Sequence, residues 1–135
     1  MNKFNIFESR DDLQIFEDER GVIADIFYNT TINHVAFISS RPNTLRGNHY
    51  HALTTQHIFI TDGSLEYWYA QNLSSPKASF EICQAGDLVT SEPGEIHALK
   101  IGPNGCKFIA FSTGLRGGLD YESDTFRVPD ITNLS

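Results

Sequence analysis

The sequence predicts an all-β domain closed into a double-stranded jelly-roll barrel. Three observations point there. Short β-like runs recur at even spacing, each ended by a turn signal. No stretch sustains the 3.6-residue periodicity of a helix. Ten glycines and five prolines punctuate the 135 residues, and long-chain helix formers are few. Strands so short and evenly spaced fit a closed sandwich or barrel. The length fits one domain with its own core (typically about 100–150 residues) and needs no disulfide or metal staple. Residues 1–135 read as a single domain, with 1–20 an N-terminal arm or strand and 114–135 a turn-rich tail.

Taken in order, the run Val22 to Tyr28 follows a turn at Gly21. His34 to Ser40 comes next and is closed by Arg41-Pro42-Asn43. Gln56 to Thr61 ends at Asp62-Gly63, a dipeptide suited to a tight hairpin turn, so Leu65 to Ala70 reads as the returning strand. Ser74-Ser75-Pro76 marks a loop before Ala78 to Cys83. Gly86, Pro93-Gly94 and Gly102-Pro103-Asn104-Gly105 punctuate three further runs, the last being Lys107 to Thr113. Small jelly rolls leave apolar sheet faces and open edges, so a homodimer is expected. The aromatic-rich strand Leu65 to Ala70 and the N-terminal segment are the candidate contacts.

Composition excludes several classes. Ten Lys and Arg against seventeen Asp and Glu give a net charge of -7, with an isoelectric point near 5.0. Such a surface repels phosphate backbones, so nucleic acid is not an expected partner. A local basic pocket for one phosphorylated small molecule stays open. The segment Met1 to Arg20 has no uninterrupted apolar run, so neither a signal peptide nor a membrane span is expected, and the location is read as cytoplasmic. Cys83 and Cys106 each fall in a strand run and neither sits in a CxxC pair. They read as buried, reduced thiols.

The chemistry centres on histidine. His49-Tyr50-His51 follows Arg46-Gly47-Asn48. Residues two apart in a strand share a face, so both imidazoles can reach one centre. Gln56 opens the next apolar run, and His97 follows the turn Glu92-Pro93-Gly94-Glu95-Ile96. Imidazoles converging inside a barrel need a metal or a proton role to justify their burial. His57 alternates with Gln56 and faces the other side of its strand. His34 has no motif around it and reads as a strand or turn residue rather than a ligand.

These residues resemble the two motifs of the cupin superfamily. Gly47 to Gly63 is similar to the first motif and Gly86 to His97 to the second. Gln56 stands where the family usually has a Glu ligand, and Glu92 where it usually has a Pro. The resemblance implies a cupin barrel holding a divalent metal ion through His49, His51, Gln56 and His97. Zinc, iron, nickel, copper and manganese all suit that donor set. Three neutral imidazoles and an amide leave the ion's charge uncancelled, which weakens binding but leaves a stronger Lewis acid. The alternative is a site without metal, its histidines hydrogen-bonded or acting as acid and base.

A narrower resemblance lies in Asp18-Glu19-Arg20-Gly21 and Arg46-Gly47-Asn48-His49-Tyr50-His51. Both segments are similar to those of sugar-nucleotide cupins: the dTDP-4-keto-6-deoxyglucose 3,4-ketoisomerases, the dTDP-4-keto-rhamnose 3,5-epimerases, and the cupin domain of capsule-precursor reductases. This implies an isomerase or epimerase acting on a keto-deoxysugar nucleotide through an enediolate. His49 or His51 would move the proton, while the other, or a bound metal, meets the oxyanion. Arg46 is the candidate to bind a diphosphate or carboxylate, its alternative being a surface salt bridge. Tyr50, and with it Tyr67, Trp68 and Tyr69, are candidates to stack on the base or sugar, their alternative being core or interface residues. The sequence places no counterpart to the epimerases' catalytic tyrosine. Two other readings remain: a metal-dependent small-molecule dioxygenase, and a non-catalytic metal- or ligand-binding cupin.

Overall fold

A computed structural model describes residues 1–8, 15–71, 77–114 and 123–133. Its strands are β1 (Asn2–Asn5), β2 (Ile15–Asp18), β3 (Gly21–Ala24), β4 (His34–Ser40), β5 (Leu45–Tyr50), β6 (Gln56–Ala70), β7 (Ser79–Gln84), β8 (Asp87–Ser91), β9 (Ile96–Ser112) and β10 (Phe126–Arg127). Among the described residues, eight of them form one antiparallel sheet, and β2 and β3 form a separate hairpin. The long strands β6 and β9 pair from Gln56 opposite Ser112 to Ala70 opposite Ile96. Each therefore serves two layers. The first half of β6 and the second half of β9 are flanked by β8, β1 and β4. Their other halves are flanked by β7, β5 and β10. One sheet folded over itself in this way is the expected jelly roll.

The corner between the layers corrects one expectation. Asp62-Gly63 makes no hairpin: β6 runs straight through it, and β9 likewise runs through Gly102 to Gly105. Gly63 lies opposite Cys106 and Leu65 opposite Ile101, so residues 102–105 bulge out from β6. Gly63 has a φ of +78°, and a Cβ there would sit 2.0 Å from the Gly105 carbonyl oxygen. The left-handed preference of the dipeptide is used for a bulge that turns both strands together. The run from Val22 also ends sooner than expected, at Ala24.

Alternation along the strands sends Ile60, Leu65, Val89, Ile101 and Phe108 into the barrel, where they close one end with Cys83 and Cys106. Both thiols are free, as expected. Burial pushes Cys83 up to about 12 and Cys106 up to about 11. At pH 8 the thiolate fraction is then on the order of 1 in 10³ or less, against about a quarter for an ordinary thiol. Iodoacetamide is expected to label neither residue of the native protein within an hour and both at once in denaturant. Rapid native labelling, read by mass spectrometry, would refute that burial.

The outer face of the second layer is covered by the chain itself. Trp68, Ala70, Ile96 and Ala98 pack beneath Ile131 and Val128. Leu65, Tyr67, Trp68 and Ala70 are all at least 94% buried, which leaves little of this strand for the dimer contact expected of it. No helix among the described residues is long and apolar enough to cross a membrane.

Candidate active site

The site begins with a bulge in β5. Gly47 and Asn48 both have left-handed backbones, with φ of +87° and +57°. The register breaks between Gly47 and His49, so that Arg46 lies opposite Leu99 and His49 opposite His97. Without the extra residue, Arg46 and His49 would point to opposite faces; with it, both point inward. Gly47 is also required by space, since a Cβ would sit 2.9 Å from the His97 carbonyl oxygen. Asn48 anchors the C-terminal segment: its Oδ1 accepts from the Ile131 amide and its carbonyl from the Val128 amide, each at 2.9 Å.

His49, His51 and His97 meet in a triangle. Ring centroids are 4.9 Å apart for His49 and His51, 4.7 Å for His49 and His97, and 5.3 Å for His51 and His97. Their candidate ligand nitrogens all lie within 4.8 Å of one another. His51 Nδ1 donates to the Asp124 carbonyl at 2.9 Å, because a carbonyl can only accept. Its Nε2 therefore carries the lone pair, 3.2 Å from Gln56 Oε1. His97 Nδ1 similarly faces the Glu95 carbonyl at 3.3 Å and Ser91 Oγ at 3.2 Å, which turns its Nε2 towards the centre. Backbone carbonyls that fix the imidazole tautomer from behind are the usual support of metal-binding histidines.

This donor set fits a divalent ion. A lone pair on His51 and an amide oxygen on Gln56 face one another, and a shared cation, or a proton on His51, satisfies both. A closed tetrahedral shell with bonds of about 2.0–2.1 Å has ligands about 3.4 Å apart. The His51–Gln56 pair, at 3.2 Å, is close to that spacing, and the histidine nitrogens, within 4.8 Å of one another, would have to draw closer to share an ion.

Asp124 lies in the stretch read from sequence as a tail, and it was missed. Its carboxylate accepts from the amides of Ala52, Leu53 and Thr54 at 2.9–3.0 Å. Burial acts to raise its pKa, but these amide bonds outweigh it and hold the carboxyl below its ordinary value. The clamp fixes the turn after His51 while the same residue's carbonyl orients the ring.

The triangle opens into a cavity of about 370 Å³ whose wall includes His49, Gln56, Tyr67, Ser91 and His97. Arg46 and Arg127 also line it, and among the described residues no Asp or Glu does. Arg46 is held by neutral oxygens, through Nε to Ser40 Oγ at 2.7 Å and through its terminal nitrogen to the Ser39 carbonyl at 3.3 Å. Among the described residues no carboxylate pairs with it. His51 sits behind the wall rather than on it. Tyr50 points outward and stacks on Phe126 at 5.2 Å, away from the cavity. His34 is a strand residue, but it lines the wall in alternation with Ala36 and Ile38. His57 faces outward as expected, 2.7 Å from Thr90 Oγ1.

Tyr67 reads from sequence as a stacking or core residue, and Arg127 went unremarked; both line the cavity. Tyr67 stacks beside His97 with centroids 6.0 Å apart and donates to Glu95 Oε1 at 3.4 Å. Burial, and then the nearby Glu95, push its phenol well above the ordinary value. Its parity with Leu65 along β6 was the one available signal.

No protein-family model matches the sequence, and no curated protein matches it either. Solved structures do match by shape. A 3,4-ketoisomerase from Helicobacter canadensis superposes with a TM-score of 0.70 at 16% identity, over 86% of this chain and 86% of that one. The capsular polysaccharide assembling protein CapF from Staphylococcus aureus gives 0.62 at 17% identity, covering 86% of this chain and 34% of that longer one. A dTDP-6-deoxy-D-glucose-3,5-epimerase from Legionella pneumophila, in complex with dTDP-4-keto-L-rhamnose, gives 0.67 at 17% identity over 94% and 78% of the two chains. Identities this low speak for architecture alone. The chain has the cupin jelly-roll fold that these structures share.

Proposed function

We propose that this chain, as a single domain over residues 1–135, is an isomerase or epimerase that acts on a keto-deoxysugar nucleotide through an enediolate. The observation that carries the reading is a buried imidazole triangle opening into a cavity with two arginines and no carboxylate on its described wall. Such a wall suits an anionic substrate, and about 370 Å³ falls within the roughly 300–1,000 Å³ of small-molecule sites. Similarly folded enzymes crystallised with dTDP-4-keto-L-rhamnose and dTDP-quinovose support the substrate class. A cytoplasmic location suits such a substrate and the free thiols.

The roles follow from where the protons sit. His49 and His97 both line the cavity wall, and His49, on the same strand as Arg46, takes the proton alpha to the ketone. His51 and His97 have their Nδ1 protons committed to carbonyls, so they offer lone pairs to the centre. A lone pair cannot stabilise an oxyanion, and these two residues with Gln56 therefore act by holding a cation. A divalent ion bound there supplies a Lewis acid for the developing enediolate oxygen. His49 belongs to the same ligand set, but a lone pair given to an ion is closed to a proton, so the two roles exclude one another at any moment. The proton that His49 takes returns from the same imidazole to the neighbouring carbon. Arg46 and Arg127 meet the diphosphate.

Incubation with dTDP-4-keto-6-deoxyglucose in deuterated water tests the reading. Deuterium should enter at the carbon next to the ketone, and elemental analysis should find about one divalent ion per chain. No exchange with that substrate or with dTDP-4-keto-rhamnose would overturn the isomerase reading. Redox-active iron with oxygen uptake would favour the dioxygenase instead.

A further inference from the structure

Arg46 links the two layers of the barrel. β4 pairs with the second half of β9 and β5 with the first half, so the two strands lie in different layers. The Arg46 side chain leaves β5 and ends on the last residues of β4. Its Nε–H donates to Ser40 Oγ at 2.7 Å, and a terminal N–H donates to the Ser39 carbonyl at 3.3 Å. Ser40 is only 5% exposed and lies opposite Cys106, at the packed end of the barrel. One acceptor is thus fixed by the backbone and the other by a buried hydroxyl.

A guanidinium is a rigid planar fork of N–H donors. Its side edge carries Nε–H and one N–H of Nη2, and that is the edge which Ser40 and Ser39 occupy. Its end edge carries one N–H from each terminal nitrogen, a geometry that takes two phosphate oxygens at once. Among the described residues nothing pairs with that end edge, and no carboxylate cancels the charge. Arg46 also lines the cavity. Neutral holders on one edge leave the full charge for a ligand on the other.

We infer that Ser40 is a positioning residue for anion binding: it locks the side edge of Arg46 so that the end edge is presented to a nucleoside diphosphate. The identity of that anion rests on the proposed function; the orientation of the fork rests on the two bonds. A long side chain fixed before its ligand arrives spares binding part of the ordering cost. The diphosphate is the same in the ground state and the transition state, so the gain falls on affinity and not on turnover. Lysine cannot take the place of Arg46, because an ammonium has no second edge to be held by.

Calorimetry with dTDP and with inorganic pyrophosphate tests it, since neither probe needs the protein to be an isomerase. Arg46→Ala should weaken dTDP binding by about 100-fold and Ser40→Ala by about 10-fold. In the Arg46→Ala protein, adding Ser40→Ala should change the affinity by less than about twofold, because a residue that acts only through Arg46 then has nothing to position. Arg46→Lys should regain little of the loss. With a keto-sugar nucleotide as substrate, Ser40→Ala should raise KM by about 10-fold and leave kcat within about twofold. Thermal melts confirm that each variant is folded. Wild-type dTDP affinity in Ser40→Ala, or an equal loss in the Arg46→Ala background, would overturn the positioning role. The expected pattern of dTDP binding without turnover of any keto-sugar would uphold that role and remove the isomerase reading alone. A wild type that binds neither probe would overturn both.

Discussion

Replacing His97 with alanine is expected to lower turnover on a keto-sugar nucleotide by about 10³-fold or more. It should also abolish tight zinc binding measured by calorimetry. His97 is buried at the centre of the triangle, with its outer nitrogen held by Glu95 and Ser91. Removing it deletes one ligand and leaves His49, His51 and Gln56 as an incomplete set. Ser91→Ala only loosens the ring, so it should cost less, about 10-fold to 100-fold in metal affinity. Gln56→Glu should move zinc affinity the other way, because a carboxylate cancels charge that the amide leaves bare. A folded His97→Ala protein with wild-type turnover would remove the triangle from the mechanism. Tighter zinc binding by Gln56→Glu with unchanged turnover would separate metal from catalysis.

Gly63→Val is expected to cost about 3 kcal/mol or more and to leave little folded protein at 37 °C. The added Cβ would meet the Gly105 carbonyl oxygen at 2.0 Å, the carbonyl carbon at 2.9 Å and Cys106 Cα at 3.0 Å. All three are backbone atoms, so no rotamer change relieves the clash, and the left-handed φ adds strain of its own. Gly94 is the control: it shares a left-handed φ of +88° but has nothing within 4 Å of its Cβ position. Gly94→Ala should cost only about 1 kcal/mol. Thermal melts giving the two variants equal midpoints would show that the corner yields, contrary to its packing.

Much of the site was legible because period-two geometry is local. The parity that brings His49 and His51 to one face also sends Tyr50 to the other, where it stacks on Phe126. Read strictly, the same rule would have excluded Tyr50 from the cavity and placed Tyr67 beside Leu65 inside it. His34 was passed over because a lone histidine in a strand carries no signal until the opposite wall is known. Arg46 reaches the interior only because the bulge at Gly47 and Asn48 resets the alternation, and a Gly-Asn pair reads equally well as a turn.

By itself the sequence determined the all-β character, several of the turns, the buried thiols and the convergence of three histidines. Each of these follows from preferences acting over a few residues. Tertiary structure alone decided that Asp62-Gly63 would bend a continuous strand rather than reverse it, because the backbone of β9 lies against that corner. It also decided that Asp124, more than seventy residues from His51, would orient that ring. And it laid Ile131 and Val128 over Trp68, Ala70, Ile96 and Ala98. Such outcomes depend on which distant segments arrive first at a surface, and no local pattern encodes that.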